Sequence, residues 1–224
     1  MRLNQDVHRP DPVRERIRAA AEALFAQRGV GNVSVRAITA AAGANMAAVN
    51  YHFGSKEMLV IEAFRDVARR TAESRLQALA ALNERAQAAG SRPGLREVID
   101  VFVDPYVSAE NPQTGALLAH LVLMHRVSPT DWTREVVRQE LDGMAERFIA
   151  TLSQAAPHLS TGEVHWRYHL MVGAILIALS DDGADSRMQR LSGGLCKPSD
   201  RKLLRRELVE FLTCAFGSTE AAGA

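Results

Sequence analysis

Apolar residues recur at helical spacing along almost the whole chain. Near the start, Ile17, Ala21 and Leu24 repeat every three or four residues, which places them on one face of a helix. No stretch alternates apolar and polar residues as a half-buried strand does. The pattern therefore predicts an all-α protein with nine helices. Their ranges are about 12–28, 34–42, 45–52, 55–85, 95–109, a helix from 112, 128–155, 160–179 and a helix from 199.

The stretch from Val33 to Lys56 predicts two short helices joined by a tight turn. Ser34 is a good N-cap, because its hydroxyl can accept a hydrogen bond from an N–H of the first turn. Gly43 follows where the chain must turn, and glycine tolerates the left-handed conformation that often ends a helix. Ser55 is placed to cap a longer helix that follows. The pattern is that of a helix-turn-helix.

The outward face of the second short helix combines small residues with amides. Ala47 and Ala48 would let the helix approach a surface closely, and the amides of Asn45 and Asn50 can recognise base edges in a major groove. Tyr51, His52 and Lys56, which come next, have polar groups that can bind phosphate oxygens. The alternative is a solvated helix pair without a partner. The predicted DNA-binding residues are Ser34, Arg36, Asn45, Met46, Ala47, Ala48, Asn50, Tyr51, His52 and Lys56.

The run from Gly43 to Lys56 resembles the DNA-binding domain of the tetracycline-repressor (TetR/AcrR) family of transcriptional regulators. It is similar to the family's turn, recognition helix and start of helix four without a gap. The resemblance is strong from about Val13 to Phe64 and weaker afterwards. Asn50 departs from the pattern, since many members have an aromatic residue there. We expect this difference to affect which operator sequence is recognised and not the fold.

The resemblance implies a nine-helix architecture with two domains. Residues 1–56 would form the helix-turn-helix domain, with helix four from residue 55 linking it to a ligand-binding and dimerisation domain over 57–217. Members of this kind act as homodimers on double-stranded, palindromic operator DNA. We therefore expect a ligand-responsive regulator, and a repressor in particular.

Composition and charge agree with a globular nucleic-acid reader. The chain has 224 residues, of which 47% are hydrophobic and 24% are charged. Residues 1–56 carry eight basic and four acidic residues, although the net charge of the whole chain is only +1. A basic head on an acidic body is typical of a DNA-binding part with a separate regulatory part.

Membrane and secretory segments are not predicted. The longest uncharged apolar run, residues 170–179, is too short to span a bilayer. No basic-then-apolar segment opens the chain. Cys196 and Cys214 have neither metal nor redox spacing, so we expect two reduced thiols in a cytoplasmic protein.

Enzyme and metal chemistry find little support in the motifs. The chain has no Gly-x-Ser-x-Gly elbow, no phosphate loop and no Rossmann glycine pattern, so no cofactor is predicted. His165 and His169 lie four apart, which is the spacing of two metal ligands on one helix face. A third ligand is not identifiable, and we interpret both histidines as packing or interface residues.

A second resemblance covers Glu163 to Ala174. This stretch is similar to helix eight of a family subset that includes fatty-acid-responsive repressors, which also carry the Ala-Ala-Val-Asn-Tyr-His-Phe recognition helix. Small residues permit close helix contact, so we predict a dimer seam built from helices eight and nine. The predicted seam residues are Gly173, Ala174, Ile177 and Phe211.

Apolar and methionine side chains of the C-terminal part could surround a ligand between helices. The predicted pocket residues are Phe102, Tyr106, Leu117, Leu121, Met124, His125, Met144, Phe148 and His165. The alternative is that these residues fill a solid core. An acyl effector, such as a fatty acid or acyl-CoA, would need a partner for its charged head group. The candidates are His120, His125, Arg126 and His165.

Two other interpretations remain open at this point. The same DNA-binding head could take its signal from a protein partner or need no ligand, which a bundle without a cavity would favour. An enzyme is the least favoured interpretation. It would require a polar cleft in which carboxylates and histidines converge.

Overall fold

The computed structural model describes residues 11–108, 110–181 and 186–217. Within these ranges the chain is helical and contains no strand, which confirms the predicted all-α class. A 3₁₀ turn at Val30–Asn32 follows the first helix. The helices are α1 Pro12–Arg28, α2 Val35–Ala42, α3 Met46–Phe53, α4 Lys56–Ala88, α5 Leu95–Val107, α6 Pro112–Val127, α7 Asp131–Glu140, α8 Asp142–Ala155, α9 Thr161–Ser180, α10 Arg187–Leu191 and α11 Arg201–Gly217.

The predicted number of nine helices is wrong, because the described ranges contain eleven. The helix predicted over 128–155 is two helices, α7 and α8, which meet at Leu141. Buried apolar residues keep helical spacing on both sides of Leu141, so the periodicity did not reveal the break. None of the helices described is long and apolar enough to cross a membrane.

The additional helix α10 lies between the helix predicted over 160–179 and the one predicted from 199, where the sequence analysis placed no helix. The Asp181 carboxylate accepts hydrogen bonds from the backbone N–H groups of Arg187 and Met188, at 2.8 and 2.7 Å. The Ser186 hydroxyl accepts another from the Gln189 N–H at 3.1 Å. These bonds satisfy N–H groups at the start of a helix. Those from Met188 and Arg187 lower the pKa of Asp181.

Some expectations fall outside the described residues. They concern residues 1–10 of the predicted first domain, including Arg2 and Arg9, and residue 109, where the fifth helix was predicted to end. The chain divides into two compact units, the first ending at Asp66 and the second beginning at Val67.

The N-terminal unit has a small core to which α4 contributes. The apolar face of α1 is buried at Ile17, Ala21, Leu24 and Phe25, close to the predicted stripe. Short helices contribute little intrinsic stability, and most of it comes from packing an apolar face. The first turns of α4 add to this core. The remaining buried apolar residues of the unit are Val33, Ile38, Ala42, Val49, Phe53, Leu59, Val60, Ala63 and Phe64.

Helix α5 is the centre of the C-terminal unit, where it contacts α6, α8 and α11. Pro105 lies inside α5, where a proline typically kinks or ends a helix. The helix continues only to Val107. Proline has no N–H, so this last turn lacks one helical hydrogen bond. The buried residues of α5 are Val98, Ile99, Phe102, Val103, Tyr106 and Val107.

Gly115 of α6 lies directly against the end of α5. A Cβ atom built on Gly115 would be 2.3 Å from the Tyr106 carbonyl oxygen and 2.9 Å from that of Pro105. Both contacts are with backbone atoms, which cannot move aside as the end of a side chain can. The close approach of the two helices therefore requires glycine at this position.

We expect Gly115→Ala to reduce the free energy of unfolding by about 1–3 kcal/mol, as overpacking of a well-packed core typically does. Urea denaturation followed by circular dichroism measures this change. Gly143→Ala is the matched control, because a Cβ at Gly143 meets no atom within 4 Å. Equal stability of the Gly115 variant and the wild type would contradict the close packing described here.

Candidate nucleic-acid interface and regulatory cavity

Caps at both ends fix the turn between α2 and α3. The Ser34 hydroxyl accepts a hydrogen bond from the Ala37 N–H at 3.1 Å, as predicted for the start of α2. Gly43 ends α2 in the left-handed conformation, with φ 60° and ψ 38°. The Asn45 side-chain oxygen then accepts from the Ala48 N–H at 2.8 Å and starts α3. The predicted helix-turn-helix is therefore present in the structure.

Helix α3 turns Val49 and Phe53 into the core and leaves its other side open. The Tyr51 side chain is 85% exposed and Met46 is 57% exposed. Asn50 is exposed as well. This face carries a phenol, an amide and a thioether, which can contact DNA without disturbing the core.

Besides the Ser34 cap, three of the predicted DNA-binding side chains already have partners inside the protein. Asn45 uses its carbonyl oxygen as the α3 cap, so its NH₂ group remains for another acceptor. The His52 Nδ1 lies 3.5 Å from an Asp11 carboxylate oxygen, and the His52 side chain is only 11% exposed. The Lys56 ammonium donates to the Val30 carbonyl oxygen at 3.2 Å. These contacts help to hold the motif together.

The other predicted residues differ in their exposure. Ala48 is half-buried, and Ser34 acts as a cap although it is exposed. The remaining predicted residues are exposed, namely Arg36, Met46, Ala47, Asn50 and Tyr51.

Part of the basic charge counted in the N-terminal segment is used within the unit. Arg14 forms an ion pair with Glu62 at 2.6 Å, and Arg18 forms ion pairs with Glu15, Glu22 and Asp66. Glu62 and Asp66 follow residue 56, so the count over residues 1–56 overstated the positive charge available to DNA. Arg36 is the exposed basic residue of the predicted DNA-binding set.

The C-terminal unit contains a cavity of about 80 Å³. Four of the nine predicted pocket residues line it: Phe102, Tyr106, His125 and Met144. The predicted residues Leu117, Leu121 and Phe148 are buried in the core without lining the cavity, and Met124 is half-buried. His165 is exposed. The other residues of the cavity wall are Arg75, Val122, Arg126, Val137, Leu141, Asp142, Ala145, Tyr168 and Val172.

Arg75 of α4 is the buried charged side chain in this wall that the sequence analysis missed. It is only 2% exposed. Its guanidinium carbon lies 4.3 Å from the centre of the Phe102 ring and 4.6 Å from that of Tyr106. One terminal N–H donates to the Phe102 carbonyl oxygen at 2.5 Å, in the turn that Pro105 weakens. Burial lowers the pKa of Arg75.

The surroundings of Arg75 compensate only part of the cost of burying its charge. A cation over an aromatic ring gains about 2 kcal/mol when desolvated. Removing an ion from water costs several kcal/mol even after relaxation of the protein. Arg75 is therefore a buried cation stabilised by ring faces and a carbonyl.

Two titratable groups of the cavity wall, His125 and Tyr168, favour their neutral forms. Burial lowers the pKa of His125, and the nearby Arg126 lowers it further. The imidazole is therefore neutral at pH 7, and its buried Nδ1 has no hydrogen-bond partner. Burial raises the pKa of Tyr168, so its phenol stays protonated. The cavity wall thus combines a buried cation with neutral hydrogen-bonding groups.

The structure provides no metal site among the residues it describes. Within those ranges, no three or more His, Cys, Asp and Glu side chains come together to hold a metal ion. His165 is exposed and its Nδ1 lies 2.8 Å from the Thr161 carbonyl oxygen. His169 is also exposed.

A row of large apolar side chains is exposed along α9. Trp166, Leu170 and Ile177 are 69%, 63% and 70% exposed, and their spacing places them on one face of the helix. Gly173 lies in the same row, and a Cβ built there meets no atom within 4 Å. Phe211 of α11 is 60% exposed. Of the predicted seam residues, only Ala174 is half-buried.

Comparison with known proteins gives matches in both units. Residues 17–63 match the family described as bacterial regulatory proteins, tetR family. Residues 100–215, more than half of the chain, match the family described as tetracyclin repressor-like, C-terminal domain. No curated protein is similar to the chain in sequence.

Solved structures share the fold at low sequence identity. A protein from Saccharomonospora viridis, described as a transcriptional regulator in complex with choline, is 16% identical with a TM-score of 0.64, over 89% of this chain and 94% of that one. HlyIIR, a hemolysin II transcriptional regulator, is 17% identical with a TM-score of 0.56, over 92% and 98%.

A protein from Shewanella sp. PV-4, described as a TetR family transcription regulator, is 17% identical with a TM-score of 0.57, over 91% of this chain and 97% of that one. These similarities support the fold, and the family matches carry the assignment. The chain belongs to the TetR family of bacterial regulatory proteins and is a transcriptional regulator, not an enzyme, with a helix-turn-helix DNA-binding domain and a C-terminal ligand-binding domain.

Proposed function

We propose that this protein is a cytoplasmic, homodimeric repressor that leaves a palindromic operator when a small apolar or acyl-type molecule binds its C-terminal domain. The observation that carries the DNA-binding half is the open face of α3, capped by Asn45 and built on Val49 and Phe53. The observation that supports regulation by a ligand is the cavity beside Arg75.

Base recognition is assigned to the exposed side chains of α3 and the start of α2. The Asn50 amide can form paired hydrogen bonds with adenine in a major groove. Arg36, Met46 and the NH₂ group of Asn45 complete the base-facing set. Tyr51 is assigned to a phosphate, because its exposed hydroxyl lies at the end of the helix, where contacts with the backbone set the register.

His52 and Lys56 are assigned mainly to holding the helix-turn-helix together, because their polar groups already have partners in the protein. Their polar atoms face Asp11 and the Val30 carbonyl in the protein. Each side chain keeps an N–H group that could donate a hydrogen bond to a phosphate. Their proposed role is therefore to hold the motif and to add phosphate contacts.

Dimerisation is assigned to the exposed row on α9 together with Phe211 of α11. Isolated apolar side chains are common on surfaces, but contiguous patches mark interaction sites. Gly173 lies in this apolar row and has no side chain, so it leaves room for the close approach of a second chain. A two-fold dimer would place its recognition helices about 34 Å apart, one turn of DNA.

Regulation is assigned to the cavity of the C-terminal unit. A ligand changes operator affinity only if it binds differently to the DNA-bound and free conformations. Arg75 in the cavity wall belongs to α4, which begins at Lys56, directly after the recognition helix. A shift of α4 on ligand binding is the proposed route. The complex of the Saccharomonospora protein with choline shows that one protein of this fold binds a small molecule.

The acyl part of the proposal rests on the apolar side chains of the wall. A cavity of about 80 Å³ holds little more than two or three waters, each of which takes about 30 Å³. An acyl chain must therefore displace side chains, and flexible Met144 is suited to move. Control by a protein partner, or no ligand, is the alternative if the cavity does not take a molecule.

Asn50→Ala should relax the preference at one base pair by about 1–3 kcal/mol, because it removes a base contact. Tyr51→Phe should weaken binding about equally on all sequences, because it removes a phosphate contact. Both variants are titrated against duplexes selected from a random pool and against their single-base substitutions. Uniform weakening by Asn50→Ala would contradict its assignment to a base.

Gly173→Arg should give monomers with unchanged helicity and much weaker operator binding, because the added side chain has space within the protomer but blocks a close helix seam. Analytical ultracentrifugation and circular dichroism measure both properties. Gly143→Arg is the control, since Gly143 of α8 is also exposed and uncrowded. If the Gly173 variant remained a dimer, the assignment of the dimer interface to this row would be wrong.

Fatty acids and acyl-CoA thioesters of graded length should release the selected DNA, with the effect reaching a maximum at one length. Ala145→Phe should abolish the release without weakening DNA binding, because Ala145 lines the cavity and a larger side chain fills it. Fluorescence anisotropy of labelled DNA measures both effects. Release by an aromatic or cationic drug but by no acyl compound would refute the acyl assignment.

A further inference from the structure

We propose that the cavity beside Arg75 is a receptor for the carboxylate group of an organic anion, which defines the chemical class of the effector. This inference rests on the proposed ligand-regulated function and deepens it. It starts from a residue that the sequence analysis did not single out. It also differs from the predicted head-group partners, of which only His125 and Arg126 line the cavity.

The hydrogen-bonding capacity of Arg75 is used only in part by the protein. A guanidinium has five N–H donors and no acceptor. One terminal nitrogen donates to the Phe102 carbonyl oxygen at 2.5 Å, and the other has the Met144 sulfur at 3.8 Å. The Tyr106 side chain also forms a hydrogen bond with the guanidinium. The Nε of Arg75 is buried without any partner. At least one strong donor of a fully buried cation is therefore available in the cavity wall.

The charge of Arg75 is not neutralised by the protein either. Among the residues that the structure describes, no carboxylate forms an ion pair with it. Asp104, the acid that acts on it electrostatically, is 2.9 Å from Arg205 and is engaged there. Asp142 also lines the cavity but is exposed. Aromatic rings and water can solvate a guanidinium, but only an anion cancels its charge.

A carboxylate fits these donors better than other anions. Arginine pairs with carboxylates through parallel N–H···O bonds in one plane. The neutral groups beside it can add hydrogen bonds, because His125 has an unpartnered buried Nδ1 and Tyr168 keeps its hydroxyl proton. A cation such as choline would instead meet a buried like charge. The cavity therefore selects by charge sign first.

The size of the cavity separates the head group from the rest of the ligand. About 80 Å³ accommodates a carboxylate and a few carbon atoms. The buried part of the remaining wall is apolar, with Val122, Leu141 and Val172. The exposed members of the wall are Arg126 and Asp142, which mark its mouth. The ligand is thus a monocarboxylate with a short apolar body, and a longer tail must pass this mouth or displace Met144.

Matched acids and amides test the assignment on the full-length wild-type protein. Butyrate, octanoate and benzoate are compared with butyramide, octanamide and benzamide, and with choline and inorganic phosphate. Isothermal titration calorimetry and thermal unfolding measure binding without DNA. We expect at least one acid to bind about tenfold or more tightly than its amide, and choline to give no effect.

Arg75→Met tests the residue itself. Replacing a buried charge by an apolar side chain of similar length often leaves stability unchanged or raises it. We expect an unchanged or higher melting temperature without ligand, and loss of the acid-specific binding by about tenfold or more. Arg75→Lys, which keeps the charge but not the planar donors, should retain only part of the binding.

Several results would overturn the inference. They are equal binding of acids and amides by the wild type, binding of phosphate but of none of the acids, and acid binding that survives in Arg75→Met. A lower melting temperature of Arg75→Met with no acid binding by the wild type would assign Arg75 to structure alone.

The release of operator DNA separates this inference from the proposed function. Acids that bind through Arg75 but do not release DNA would leave the anion site standing and refute regulation through it. Release of DNA by the neutral amides as effectively as by the acids would refute the anion site and leave ligand regulation standing.

Discussion

The apolar face of α4 is the constraint on which both compact units depend. Its first turns contribute Leu59 and Phe64 to the core of the N-terminal unit, and its later turns contribute Leu79 and Leu82 to that of the C-terminal unit. Three short helices alone bury too little surface for an independent core. A single helix therefore has to satisfy two different sets of packing partners along its length.

The charge of an arginine is stabilised in two different ways in this protein. Arg14 and Arg18 of α1 pair with carboxylates. The Arg14 pair is partly exposed, so water and salt screen it, whereas Arg18 is only 15% exposed and is balanced by several carboxylates. Arg75 is buried among aromatic rings and keeps a donor without a partner. Natural proteins keep such a costly arrangement mainly at sites where function needs it.

The sequence predicted the features that depend on local chemistry. The Ser34 cap, the left-handed Gly43 and the buried faces of α1 and α3 follow from neighbouring residues alone, and the structure confirms them. Features that depend on distant residues were missed. The break at Leu141 leaves the periodicity intact, and the first N–H groups of α10 donate to the Asp181 carboxylate, which lies outside that helix.

The cavity could also not be predicted in full from the sequence. Helical periodicity indicates which face of a helix is buried, but it does not show where neighbouring helices leave space. Phe102 and Met144 were found because they are apolar, whereas Tyr168 and Arg75 were not considered. Arg75 had a detectable signal, since it occupies the position between Ala68 and Leu79 where the buried face of α4 continues.

The Asn45 cap has an evolutionary consequence. Its side-chain oxygen starts α3, so most substitutions at this position change the fold of the motif as well as any contact with DNA. Met46, Asn50 and Tyr51 carry no such duty, because their side chains project from the finished helix. As descendants of this chain diverge, new DNA specificities can arise at these three positions at little structural cost, while position 45 stays restricted to the few residue types that can cap a helix.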